Sequence, residues 1–201
     1  MSSKSRYELI PFTRTPERSE IISRILRAIA AHETLFTDYG EPCAEACVKS
    51  KDLVEMCATC KTRMQTVAAV LGAPNSRTWE VWNETPEVVG VIYFSDIVPS
   101  LDAKGHYVFW DSHKLNHKTE VIQEAVDLIT DEMSLSRITI EIPAPFAVLA
   151  RHASRHLGFG GPFQVKGGLH VEGVKKGAVR WRGELVDLLI LGRLHTTPKD
   201  A

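Results

Sequence analysis

The stretch from residue 136 to 192 constrains the fold more than any other part of the chain. It reads Ser-Arg-Ile-Thr-Ile-Glu-Ile-Pro at 136–143, Ala-Pro-Phe-Ala-Val-Leu-Ala-Arg-His-Ala-Ser-Arg-His-Leu-Gly-Phe at 144–159 and Glu-Leu-Val-Asp-Leu-Leu-Ile-Leu-Gly at 184–192. Arg137 to Glu141 is β-branched and alternates, which predicts a strand. Pro145 can open a helix, because the N–H it lacks is not needed in a first turn. Phe146, Leu149, Ala150, Ala153 and Leu157 then recur at helical spacing, and Gly158 supplies the positive φ that ends such a helix. The closing apolar run predicts a strand again. The expected order for this part is strand, helix, strand, strand.

Upstream, Tyr7 to Phe12 alternates as a first strand. Thr15-Pro16-Glu17 combines a capping hydroxyl, a first-turn proline and an early acid, so it opens a helix with Ile21, Ile22, Ile25, Leu26 and Ile29 on one face. A second helix is expected from about Ser50 to Leu71, ended by Gly72-Ala73-Pro74-Asn75. Strands follow at Trp79 to Trp82, Val88 to Phe94 and Tyr107 to Trp110, with breaks at Glu84-Thr85-Pro86 and Ser100 to Gly105. Asn116 can cap the next helix, whose buried face would be Ile122, Ala125, Val126, Ile129 and Met133. The expectation is an α/β (α+β) fold in order β-α-α-β-β-β-α-β-α-β-β, with a mixed, mostly antiparallel sheet flanked by helices.

That order, with a short amphipathic helix ending in Leu157-Gly158-Phe159 and a strand after a basic turn, resembles the GNAT N-acetyltransferases from end to end. The ribosomal-protein-acetylating branch is the closest likeness. The resemblance implies transfer of an acyl group, most simply acetyl, from acetyl-CoA to a primary amine on a small molecule or protein, in a single direct step. Such chemistry needs N–H groups for the pyrophosphate, a polarised thioester carbonyl, a route for the amine proton and an acid for the departing thiolate. A helix N-terminus suits the pyrophosphate, since its first N–H groups are unpaired and its dipole favours anions.

The family's pyrophosphate motif, Gln/Arg-x-x-Gly-x-Gly/Ala, falls on His113 to Lys118, with His113 at the first position, Asn116 at the first glycine and Lys118 at the second. His113, Asn116, His117, Lys118 and Thr119 are therefore the candidate cofactor residues, in a loop that has lost its glycines. The family's thiolate-protonating tyrosine falls on Ser154, flanked on its helix by His152 and His156, and its frequent asparagine on Ala147. Asp96, Asp111 and His113 are candidates for the amine's proton. A histidine titrates near neutrality, whereas a carboxylate needs burial to do so.

All four cysteines fall between residues 43 and 60, as Cys43, Cys47, Cys57 and Cys60. Residues three or four apart on a helix share a face, so the two pairs can offer four thiolates to a structural zinc. Facing disulfides, a redox pair or buried thiols without a ligand are the alternatives. This Cys-rich helical segment is not part of the GNAT pattern.

At 201 residues, with 44% hydrophobic and 24% charged, the chain is expected to be one domain spanning 1–201. A formal net charge of −1 gives no overall attraction to nucleic acid. Lys166, Lys175, Lys176, Arg180 and Arg182 lie close together and are expected on a solvated hairpin. No run approaches a membrane span and no signal-peptide core follows the N-terminus, which predicts a cytoplasmic protein. Two other functions fit the same fold: a non-catalytic structural or interaction module, suggested by the degenerate loop and missing tyrosine, and a nucleobase- or DNA-modifying enzyme similar to the phage Mu-type adenine-modifying protein. Acceptor and oligomeric state are not legible.

Overall fold

The structure is a computed structural model and describes residues 7–31, 58–110, 118–144, 164–165, 169–181 and 184–194. Its strands are β1 (Tyr7–Pro11), β2 (Arg77–Asn83), β3 (Val88–Val98), β4 (Asp102–Phe109), β5 (Arg137–Pro143), β6 (Gln164–Val165), β7 (Leu169–Trp181) and β8 (Glu184–Leu194). Its α-helices among the described residues are α1 (Ser19–Ala31), α2 (Ala58–Leu71) and α3 (Lys118–Met133). All eight strands form one sheet in the order β1-β2-β3-β4-β5-β8-β7-β6. Every neighbouring pair is antiparallel except β4 and β5, which run parallel and are joined through α3. The expected mixed, mostly antiparallel sheet is therefore present.

Alternation along the strands divides the sheet into two unlike faces. On one, Ile92, Phe94, Ala103, Ile138, Ile140 and Leu191 pack against Val121, Ala125, Val126 and Ile129 of α3 in the larger core. Trp79 meets Phe94 there edge-on, with ring centroids 5.9 Å apart. On the other, Val91, Tyr93 and Val108 pack against Ile25 of α1 and Val67 and Leu71 of α2. Ile25 of α1 and the expected α3 face are buried or packed against these cores, but Arg63, 3% exposed within α2, is a buried charge that the apolar pattern did not reveal.

Several boundaries differ from the sequence expectation. Thr15 makes no side-chain cap, and Pro16–Arg18 forms a 3₁₀ turn before α1 starts at Ser19. The Thr15 hydroxyl hydrogen-bonds Glu17 instead and, as the largest cause, lowers the pKa of that carboxyl. β3 continues past Phe94 to Val98 through an irregularity in which Asp96 takes a φ of 52°, a conformation aspartate tolerates. The break expected over Ser100 to Gly105 shrinks to a tight turn, where the Leu101 amide donates to the Val98 carbonyl and Ser100 has a φ of 62°. Asp102 to Gly105 are strand despite their weak β-propensity, because they pair on both sides, with β3 and with β5. Gly105 fits closely there. A Cβ would lie 3.1 Å from the Phe94 ring and 3.2 Å from Cγ1 of Ile140.

On the β7–β8 hairpin two irregularities re-aim charged side chains. At the first, Glu172 lies over Gly192, which has no Cβ to obstruct it, and meets Arg137 of β5. At the second, Gly177 has a φ of 54° and its amide donates to Asp187, 3.0 Å away, while Lys176 pairs with the same carboxylate at 2.7 Å. The hairpin's lysines are exposed, as expected, but Lys175 and Lys176 each hold a carboxylate. The expected helix from Pro145 through Ser154 to Gly158 lies outside the described residues, as do residues 50–57.

Candidate active site at the parting of two parallel strands

β4 and β5 pair only from Asp102 and Arg137 to Gly105 and Ile140. Beyond that point β4 continues to Phe109 against β3, and β5 continues to Pro143 against β8. The two strands no longer pair with each other, so each turns one backbone edge toward the gap. Unpaired strand edges are strong acceptors for an extended ligand that carries amide groups. The gap opens at the end of β4 that leads toward the N-terminus of α3, where an anion is favoured. One molecule with an anionic end and an amide-bearing arm would satisfy both features.

His106 is the first β4 residue past the last pair. Its ring stacks on Tyr93 of β3, with centroids 4.6 Å apart and planes 16° apart, and its Nε2 lies 3.3 Å from Oγ of Ser95. Burial pushes its pKa down to about 4, and the nearby Lys104 ammonium adds to the effect. Asp96 and Glu141 oppose it. His106 is thus a neutral imidazole at physiological pH. Burial also raises the pKa of Tyr93, to a value beyond the physiological range, and that of Tyr107.

Charged groups border this strip. Lys104 pairs with Asp96 at 2.9 Å, the first cause of a raised Lys104 pKa. Glu141, one residue past the last β4–β5 pair, is held by Lys175, which reaches over β8 from β7. At the far edge of the same face, Glu80 is fully buried and receives Arg18 Nη2 at 2.5 and 2.6 Å and Trp82 Nε1 at 2.9 Å.

Of the residues expected from sequence, Lys118 and Thr119 form the start of α3, following the splayed end of β4. Asp96 is on the strip but is exposed and paired with Lys104. Asp111, His113, Asn116, His117 and Ser154 lie outside the described residues, as do Cys43, Cys47 and Cys57. Cys60 falls in the first turn of α2, and among the described residues no group of three or more His, Cys, Asp or Glu side chains is placed to hold a metal. Sequence reasoning passed over His106, Tyr93, Ser95 and Glu141. The available signal was alternation: Tyr93 and Ser95 are two apart on β3, and His106 would have shared their face had β4 been started at Asp102.

No family model and no curated protein sequence matches this chain. Solved structures do match it. A spermidine N-acetyltransferase from Vibrio cholerae, in complex with CoA and spermine, matches with a TM-score of 0.63 at 12% identity, over 94% of this chain and 95% of that one. The ribosomal-protein-S5-alanine acetyltransferase from Vibrio fischeri matches with a TM-score of 0.59 at 13% identity, over 96% of this chain and 95% of that one. The parted parallel pair, the helices on both faces and these matches together show that the chain has the GNAT N-acetyltransferase fold.

Proposed function

We propose that this protein is an acyl-CoA-dependent N-acyltransferase, and most simply an acetyltransferase, acting on a primary amine by direct transfer. The observation that carries the reading is the parting of β4 from β5 after Gly105 and Ile140. Two backbone edges at that gap, which no described residue pairs, fit the amide groups of the pantetheine arm. When bound, acetyl-CoA supplies an activated acyl group as a thioester. Lys118 and Thr119, with His113, Asn116 and His117 before them, would hold its pyrophosphate at the start of α3. Asp111 and His113 are the proposed routes for the amine's proton, while the neutral imidazole of His106 lines the strip. Ser154 is the proposed proton donor to the leaving thiolate, directly or through water.

The structural neighbours bear names that include spermidine and a ribosomal-protein alanine, so both small polyamines and protein amines are reasonable acceptors to try. Incubation with acetyl-CoA and a panel of primary amines, spermidine and an alanine-terminated peptide among them, should release many equivalents of free thiol per chain only when the right amine is present. Failure of every amine of the panel to raise thiol release above one equivalent per chain, despite tight acetyl-CoA binding, would favour the non-catalytic module. Salt-dependent DNA binding would favour the nucleobase-modifying reading.

The four cysteines remain a proposed structural zinc site, resting on their spacing. Freshly purified, reduced protein should contain close to one zinc per chain, and a chelator should lower its melting temperature, because metal-binding energy is part of folding energy. Metal analysis well below that ratio would leave four thiols without a shared ligand.

A further inference from the structure

We infer that Lys175 is an internal acceptor: its ammonium is held by Glu141 at the mouth of the fork, where this chain would acetylate it in cis. The inference rests on the acyltransferase reading above.

Its ground is geometric. Glu141 follows directly after Ile140, the last β5 residue paired with β4, and shares a sheet face with Thr139 and Lys104. The influence of its carboxylate reaches both Lys104 and His106 across the gap. The group held by that carboxylate is itself a primary ammonium, the Nζ of Lys175. Lys175 starts from β7, with β8 lying between it and β5, so its side chain extends across β8 toward β5. The side chain is 54% exposed, and a half-exposed ion pair is weak enough to exchange. A primary amine is thus held by a carboxylate of the strand that borders the gap.

In the reaction Lys175 Nζ first gives up a proton, through Glu141 or directly to water. Its lone pair forms a C–N bond to the thioester carbonyl carbon of acetyl-CoA as the C–S bond breaks, and the sulfur leaves with the bonding pair. The nitrogen loses a second proton and the thiolate gains one. The net change converts an ammonium and a thioester into an amide, a thiol and one released proton. Acetylation removes the lysine charge and frees Glu141 to receive the ammonium of a diffusible acceptor.

Lys176 is the internal control. It is the next residue, is 82% exposed, and is held by Asp187 rather than at the fork. The full chain is incubated with acetyl-CoA and the extent of acetylation at each lysine is followed by peptide mass spectrometry. Lys175 is expected to be modified roughly tenfold or more faster than Lys176, at a rate per molecule independent of protein concentration, as positioning of an intramolecular group requires. Urea-unfolded chain should lose the preference, and Glu141→Gln should reduce it. A second readout needs no acetyl-CoA: the ¹⁵N resonance of the Lys175 ammonium should shift in Glu141→Gln while that of Lys176 stays.

Equal labelling of Lys175 and Lys176 by protein that binds acetyl-CoA would overturn the assignment of Lys175 and leave the acyltransferase reading standing. A Lys175 resonance indifferent to Glu141→Gln would overturn its placement at the fork. No acetyl-CoA binding in calorimetry would overturn both.

Discussion

Replacing Arg18 with alanine is expected to destabilise the fold by about 3–5 kcal/mol, the usual cost of leaving one partner of a buried pair uncompensated. Glu80 has no exposed surface, and Arg18 satisfies both of its oxygens, with Trp82 adding a third hydrogen bond. Arg18 also ties the pair to Thr13, through the hydroxyl at 2.8 Å. Without Arg18 the buried carboxylate would keep only the Trp82 hydrogen bond among these three. Urea unfolding at neutral pH measures the loss. The double variant Arg18→Ala with Glu80→Gln should recover a good part of it, since a neutral amide is far cheaper to bury than a charge. A loss below about 1 kcal/mol for the single variant would mean that the pair behaves like an exposed one.

The second large effect is a dependence of stability on acid that passes through one side chain. A free imidazole titrates near 6.5, whereas His106 in the folded protein is pushed down to about 4, by burial first and by Lys104 second. Between those two values the unfolded chain carries a proton that the folded chain does not. Stability should therefore fall as pH drops through that window, with no contribution above it and the full loss below it. The difference corresponds to something on the order of 3 kcal/mol. Asp96 and Glu141 act in the opposite direction on the same ring, and Tyr93 stacks on it without charge. His106→Gln should flatten this part of the pH–stability curve while leaving other acid-sensitive contributions in place. A curve of the same slope in wild type and variant would show that His106 titrates as if it were free.

Much of the architecture was legible because it rests on local pattern. The α3 face, Ile122, Ala125, Val126, Ile129 and Met133, follows from helical period, and β5 and β8 follow from β-branched or apolar runs. What escaped depends on partners distant in sequence. Asp102, Lys104 and Gly105 have little strand preference of their own and become strand because β3 and β5 pair with them on either side. Misplacing that start hid His106, since the ring's neighbours become evident only when β4 is in register with Tyr93 and Ser95. The Arg18–Glu80 pair joins a 3₁₀ turn to a strand far along the chain, and no spacing rule points to it. The Glu141–Lys175 contact likewise requires knowing that β8 inserts between β5 and β7. Sequence alone had placed the chemistry in the loop before α3 and on the helix after β5. The described structure adds a second set of groups, on the strands that line the fork.

Titration calorimetry of the full chain with acetyl-CoA, paired with a melting curve at the same concentrations, tests the acyltransferase account most directly. A ligand that binds only the folded form stabilises it by about 2.7 kcal/mol when present at a hundred times its dissociation constant. The account predicts saturable binding of acetyl-CoA and a raised melting temperature. No heat and no melting shift at millimolar acetyl-CoA would contradict it, and would leave a GNAT fold used for something other than acyl transfer.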